Sequence, residues 1–189
     1  MKKDTQDNHN DVGWRSFGVL DIARVFSGLL VANAILSWFF TSSSTWGYDG
    51  KWINPSYLSF KVRNNFVNLT LDELAKYDGQ DKALPLYLAI NGSVYDVSVS
   101  RTIYGPGGPY SKFAGKDAAR AWVTGCFGKP DEFTYDLREI DEKEARNAIQ
   151  NWQDFYDNHR KYWYVGTVIH EEITGPPPEP CEHVAYPGS

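Results

Sequence analysis

The sequence predicts a small α+β domain carried behind one N-terminal transmembrane helix. Three observations carry that reading: a charge-free apolar run from Val25 to Phe40, a helix-capping signature at Thr70, and an Asn91-Gly92 turn between two strand-like segments. The chain has 189 residues, enough for one domain with extensions. At 42% apolar and 15% aromatic residues it can bury a core. A net charge of −5 argues against a nucleic-acid partner, which calls for a basic surface.

Taken in order, residues 1–16 are a polar tail of mixed charge. Residues 17–40 form the expected anchor. The uncharged stretch VFSGLLVANAILSWFF alone would reach roughly 24 Å, slightly short of a bilayer core, and extension back to Phe17 supplies the missing length. Asp21 and Arg24 then fall three apart on one helix face and can pair, with Arg24 snorkelling at the border. Trp38, Trp46 and Tyr48 stand where interfacial aromatics belong. A buried helix of a soluble protein and a cleaved signal peptide are the competing readings; the long, partly acidic leader speaks against the second. Residues 41–65, rich in serine and aromatics, are expected to be an extended spacer.

The domain is expected over 66–170. Thr70-Leu71-Asp72-Glu73 is a capping box for a short helix to Tyr77, stopped by Asp78-Gly79. PLYLAI (85–90) reads as a buried strand, Asn91-Gly92 as a hairpin turn, and SVYDVS (93–98) as the partner strand. Lys116 to Thr124 is helical in composition. In Asp141 to Asn158, Ala145, Ile149, Trp152, Phe155 and Tyr156 share one helical face. KYWYVGTVI (161–169) is the last strand, and the proline-rich tail over 171–189 is irregular. Between hairpin and helices lies Tyr104-Gly105-Pro106-Gly107-Gly108-Pro109-Tyr110, a tight loop bracketed by two tyrosines. Its glycines and prolines would let a ligand approach the backbone closely; taken alone, it could equally be a turn whose tyrosines simply pack.

YLAINGSVYDVS followed by YGPGGPYSKFAGKDAARA resembles the cytochrome b5-like haem/steroid-binding domain of the membrane-associated progesterone receptor family, which includes neuferricin and neudesin. The resemblance runs from about residue 66 to 170. It implies a cytochrome-b5-like fold, a small sheet with helices forming a pocket for haem b (iron protoporphyrin IX). It also implies a tyrosine axial ligand to the iron at Tyr110, with Tyr104 supporting that ligand and the Lys161-Tyr162 pair beside the haem. An endomembrane location, such as the endoplasmic reticulum, and an accessory role beside cytochromes P450 or other membrane enzymes are further implications.

The residue chemistry is compatible. No histidine occurs between residues 10 and 158, so bis-histidine ligation is not expected, and His159 reads as a helix-end residue. A phenolate is a hard anionic ligand suited to ferric iron. Free tyrosine titrates near pH 10, so iron and a hydrogen-bond donor must stabilise the phenolate, and Tyr104 and Lys161 are the candidate donors. A haem-independent module of the same fold, binding a sterol or lipid or serving as an adaptor, is the alternative. An enzyme is not expected: no distal His/Arg pair, P-loop, GxSxG, HExxH or paired-cysteine zinc motif is present. Lys51, Lys61 and Arg63 read as a solvated face.

Sidedness has its own signals. Lys2, Lys3, Arg15 and Arg24 precede the uncharged run from Val25 and only Lys51 closely follows it, which favours a lumenal domain. Asn68-Leu69-Thr70 and Asn91-Gly92-Ser93 are glycosylation sequons, although Thr70 also serves as a cap and Asn91-Gly92 as a turn. Cys126 and Cys181 could pair in an oxidising compartment. Within the family, the progesterone-receptor members face the cytosol, whereas the neuferricin type is secreted.

Overall fold

The computed structural model describes residues 18–179 and 181, in two compact units: the N-terminal part to Tyr48, and Asp49 onward. The polar tail at 1–16, His9 and His183 lie outside the described residues.

In the first unit, α1 (Val19–Thr41) is 23 residues long, about 35 Å at 1.5 Å per residue, with an apolar window of mean hydropathy 1.8. It is long and apolar enough to cross a membrane once. Its large apolar side chains, from Val19 to Phe40, are exposed around the helix. Asp21 accepts from the Gly18 amide and pairs with Arg24 at 2.7 Å, as the spacing predicts. At the other end Ser42 adopts a left-handed conformation, and the chain folds back so that the Trp46 amide donates to Ser37 Oγ. The Trp46 indole nitrogen donates to Asn33 at 3.1 Å.

The second unit begins with a correction. The segment expected to be extended holds a short 3₁₀ turn and a helix, α2 (Pro55–Arg63). The Asn54 side chain caps it by accepting from the Ser56 amide, Pro55 occupies the first turn, and Asn64 closes it in the left-handed region. Tyr57 anchors α2 by packing edge-on to Trp163.

Four strands follow: β1 (Val67–Thr70), β2 (Tyr87–Ile90), β3 (Ser93–Asp96) and β4 (Trp163–Ile169). They form one sheet ordered β1-β4-β3-β2, antiparallel except where β1 runs parallel to β4. Helix α3 (Leu71–Leu74) has the predicted capping box, Thr70 Oγ1 accepting from the Glu73 amide and the Glu73 carboxylate from the Thr70 amide. Asn91 and Gly92 take positive φ at the β2–β3 turn, as expected. Both faces of the sheet are covered. Leu88, Ile90 and Tyr95 join one core, while Tyr87, Ala89 and Val94 join the other, so alternation sorts the side chains and the strands read as continuous apolar runs. Gly166 sits at φ +149 where β4 meets β1; a Cβ there would stand 1.9 Å from the Val67 carbonyl oxygen.

Three helices line the first core: α4 (Arg101–Tyr104), α5 (Ala119–Thr124) and α6 (Glu142–Asn158). α5 starts later than its composition suggests because residues 115–118 first run beside β2. There the Ala89 amide donates to the Lys116 carbonyl, and the buried Asp117 carboxylate accepts from the Asn91 and Gly92 amides. α6 is capped by Asp141 and buries Ala145, Ile149 and Tyr156, whereas Phe155 stays exposed. The irregular tail is strapped back onto the domain. Tyr135 donates to the Glu171 carbonyl, Arg138 to that of Gly175 and Arg120 to that of Pro178, and Cys126 is disulfide-bonded to Cys181. The bridge closes a loop over a sequence separation of 55. Its loss through Cys181→Ala should lower the unfolding free energy by about 2–4 kcal/mol, measured by denaturant titration against the oxidised parent.

Candidate cofactor site

The tyrosine loop is built by close backbone packing. Gly105 and Gly108 lie so near α4 that a Cβ on either would stand 2.4 Å from the Arg101 carbonyl oxygen or 2.3 Å from that of Ile103. The Tyr110 amide donates to the same Ile103 carbonyl at 3.0 Å. The Arg101 guanidinium fixes the base of the loop by donating to the carbonyls of Leu84 and Gly79.

This packing orients the two tyrosines differently. Tyr104 is buried, and its hydroxyl is hydrogen-bonded to that of the fully buried Tyr156 on α6 at 2.8 Å. Burial raises both phenols well above the ordinary tyrosine range, so both stay neutral. Tyr110 is 37% exposed, and its hydroxyl makes no hydrogen bond among the described residues. Its ring contacts Tyr104, Phe113 and Phe127 at centroid distances of 6.0, 5.8 and 6.1 Å. Beside it opens a cleft of about 240 Å³ lined by Pro109, Tyr110, Lys112, Phe113, Phe127 and Phe133. Lys112 and Lys116 stand over the Phe133 ring at 5.9 and 5.7 Å.

The structure separates the Lys161-Tyr162 pair. Tyr162 is buried edge-on to Tyr104, 5.9 Å between centroids, and its hydroxyl donates to Ser100 Oγ. Lys161 instead points its ammonium at Asp49, 2.5 Å away, and is not placed as a donor to Tyr110. The Tyr104 hydroxyl is engaged with that of Tyr156, and no hydrogen bond joins it to Tyr110 among the described residues. By its spacing Tyr156 falls only on a core face; nothing local announces that a helix residue 52 positions from Tyr104 will meet its hydroxyl. Phe127 and Phe133 were missed because they lie in irregular chain with no periodic signal. His159 is the C-cap of α6 and stacks on Tyr162 at 3.8 Å; burial lowers its pKa. His170 pairs with Asp117 at 2.7 Å. Neither histidine lines the cleft.

The donor set suits haem. An exposed phenol can ligate iron, aromatic rings can stack on a macrocycle, and nearby lysines can meet its carboxylates.

The two-faced sheet, its helical cover and the tyrosine cleft define a small α+β module of cytochrome b5 type. The chain belongs to the cytochrome b5-like heme/steroid binding domain family, whose model matches residues 70–168, just over half its length. It is 47% identical over 100 residues to a membrane steroid-binding protein of Oryza sativa subsp. japonica, covering 53% of this chain and 36% of that one. A membrane steroid-binding protein of Arabidopsis thaliana is 37% identical over 159 residues, covering 82% of this chain and 66% of its own. A cytochrome P450 regulator of Schizosaccharomyces pombe is 41% identical over 104 residues, covering 51% and 60%. The chain thus spans between about a third and two thirds of the length of these relatives. The resemblance to the membrane-associated progesterone receptor family stands.

Proposed function

We propose that this chain is a membrane-anchored haem-binding protein in which Tyr110 ligates the iron of haem b, acting as an accessory or regulatory partner of membrane enzymes rather than as an enzyme. The observation that carries the reading is the Tyr110 hydroxyl, without a hydrogen-bond partner among the described residues, at an aromatic cleft and backed by two neutral phenols. When bound, the haem would supply a ferric centre. The chain's own residues do the rest. Tyr110 offers the oxygen, and Phe113, Phe127 and Phe133 form an apolar wall that excludes water. Tyr104, its ring 6.0 Å from that of Tyr110, is held in place by its hydroxyl bond to Tyr156. The regulatory part rests on the Schizosaccharomyces pombe relative, a cytochrome P450 regulator.

A sterol or lipid ligand is the second reading. One observation favours it: a separate cavity of about 360 Å³ beside α6, with Leu137, Ile140, Ala145 and Ile149 in its lining together with polar and charged side chains, Asn91, Glu142 and Arg146 among them. Hemin titration of the detergent-solubilised full chain tests the first reading. A saturable Soret band of high-spin tyrosinate type, at one haem per chain, is expected. Absence of a saturable band, or a low-spin bis-imidazole spectrum, would move the sterol reading ahead.

A further inference from the structure

Two asparagines outside the cleft share a set of features that the haem reading does not use. Asn68 is exposed on β1, the edge strand of the sheet. Its Oδ1 accepts from Thr167 Oγ1 at 3.0 Å, which leaves Nδ2 facing no protein partner among the described residues. Asn91 is exposed at the tip of the β2–β3 hairpin, held through its backbone amide by Asp117, with its side-chain amide making no hydrogen bond among the described residues. Each is followed two positions later by a hydroxyl residue, Thr70 or Ser93, with no proline between. The Cys126–Cys181 disulfide is an independent sign of chemistry, since such bridges persist in oxidising compartments and are rare where thiols are kept reduced. A third sign is the charge placement: Lys2, Lys3 and Arg15 come ahead of α1 and Arg24 lies near its start, with only Lys51 closely after it.

We propose that Asn68 and Asn91 are N-glycosylation sites and that the domain lies on the non-cytosolic, oxidising side of the membrane. The proposal rests on α1 crossing the membrane, and is independent of the haem. In the transfer, Nδ2 bonds to C1 of an oligosaccharide carried on a lipid pyrophosphate. The C1–O bond to phosphate breaks, the lipid pyrophosphate leaves with the electron pair, and one amide proton is released. Both asparagines stand clear of the residues lining the tyrosine cleft. A sugar on Asn68 would also shield the open edge of β1 from pairing with another chain.

Translating the full chain in the presence of sealed endoplasmic-reticulum microsomes tests this. The product should gain the mass of two glycans, both removed by an endoglycosidase. Asn68→Gln and Ser93→Ala should each remove one glycan and the double variant both; Ser93→Ala spares the positive-φ Asn91. After solubilisation, a maleimide should label Cys126 and Cys181 only once a reductant is added. Alkaline carbonate extraction of the same membranes reports the anchor separately. A membrane-retained product with neither glycan overturns the proposal, as does labelling of both thiols without reductant; a product released by carbonate overturns it through its premise.

Discussion

Tyr110→Phe should lower haem affinity more than tenfold and abolish the tyrosinate spectrum while leaving the fold intact. The substitution removes one oxygen from a side chain that is 37% exposed and whose hydroxyl makes no hydrogen bond among the described residues, so its effect on stability should stay within about 0.5 kcal/mol. Tyr104→Phe should behave in the opposite way. It orphans the hydroxyl of Tyr156, a fully buried group, and should cost about 1–3 kcal/mol of stability. Its effect on haem should be the smaller one, a lost hydrogen bond worth about 0.5–1.5 kcal/mol. His159→Ala and His170→Ala should leave the Soret spectrum unchanged, because neither ring lines the cleft. Hemin titrations paired with urea melts separate these outcomes. A Tyr110→Phe protein with parental affinity and spectrum would refute iron ligation by Tyr110.

Arg120→Ala should be among the most destabilising single changes in the domain, costing about 3–5 kcal/mol. Arg120 is 2% exposed, and its Nε donates to Glu132 at 3.1 Å, a carboxylate that is itself 0% exposed. Its terminal nitrogens donate to the carbonyls of Asp136, Arg138 and Pro178. Truncation would leave a buried carboxylate with, among the described residues, only the Thr124 hydroxyl, and three carbonyls without their donor. Lysine should rescue little, because a single ammonium cannot reproduce the planar fork. The double variant Arg120→Met, Glu132→Leu should recover the part of the loss that comes from the unpaired carboxylate, since it removes both charges at similar volume, while the three carbonyls stay without their donor. Unfolding free energies from denaturant titration decide this; parental stability in the single variant would show that the pair is not the fastening of the 130–138 loop.

Sequence reading succeeded where structure is local. The Thr70–Glu73 box, the Asn91-Gly92 turn and the apolar face of α6 need only a few adjacent residues. Asn54-Pro55 carried the same kind of signal for α2, but the helix it starts has no clean apolar stripe, so the segment read as spacer. β1 was unreadable for another reason: four residues, paired through Gly166 with a strand at the far end of the domain. The site divides along the same line. Tyr104 and Tyr110 announce themselves in one glycine-rich loop. The positions of Tyr156, Phe127 and Lys161 relative to that loop depend on tertiary packing, which no local pattern encodes.

The parallel join of β1 to β4 also sets the order in which the protein can be finished. Thr70 pairs with Ile169, so the ribosome must deliver nearly the whole domain before the first strand finds its neighbour. At roughly 5–20 residues per second that wait is on the order of 5–20 s. The hairpin of β2 and β3 can close early, but the side of β3 that β4 will occupy stays open throughout, as does β1. The nascent chain therefore passes through an interval with unpaired strand edges, when it depends most on chaperones to avoid joining its neighbours.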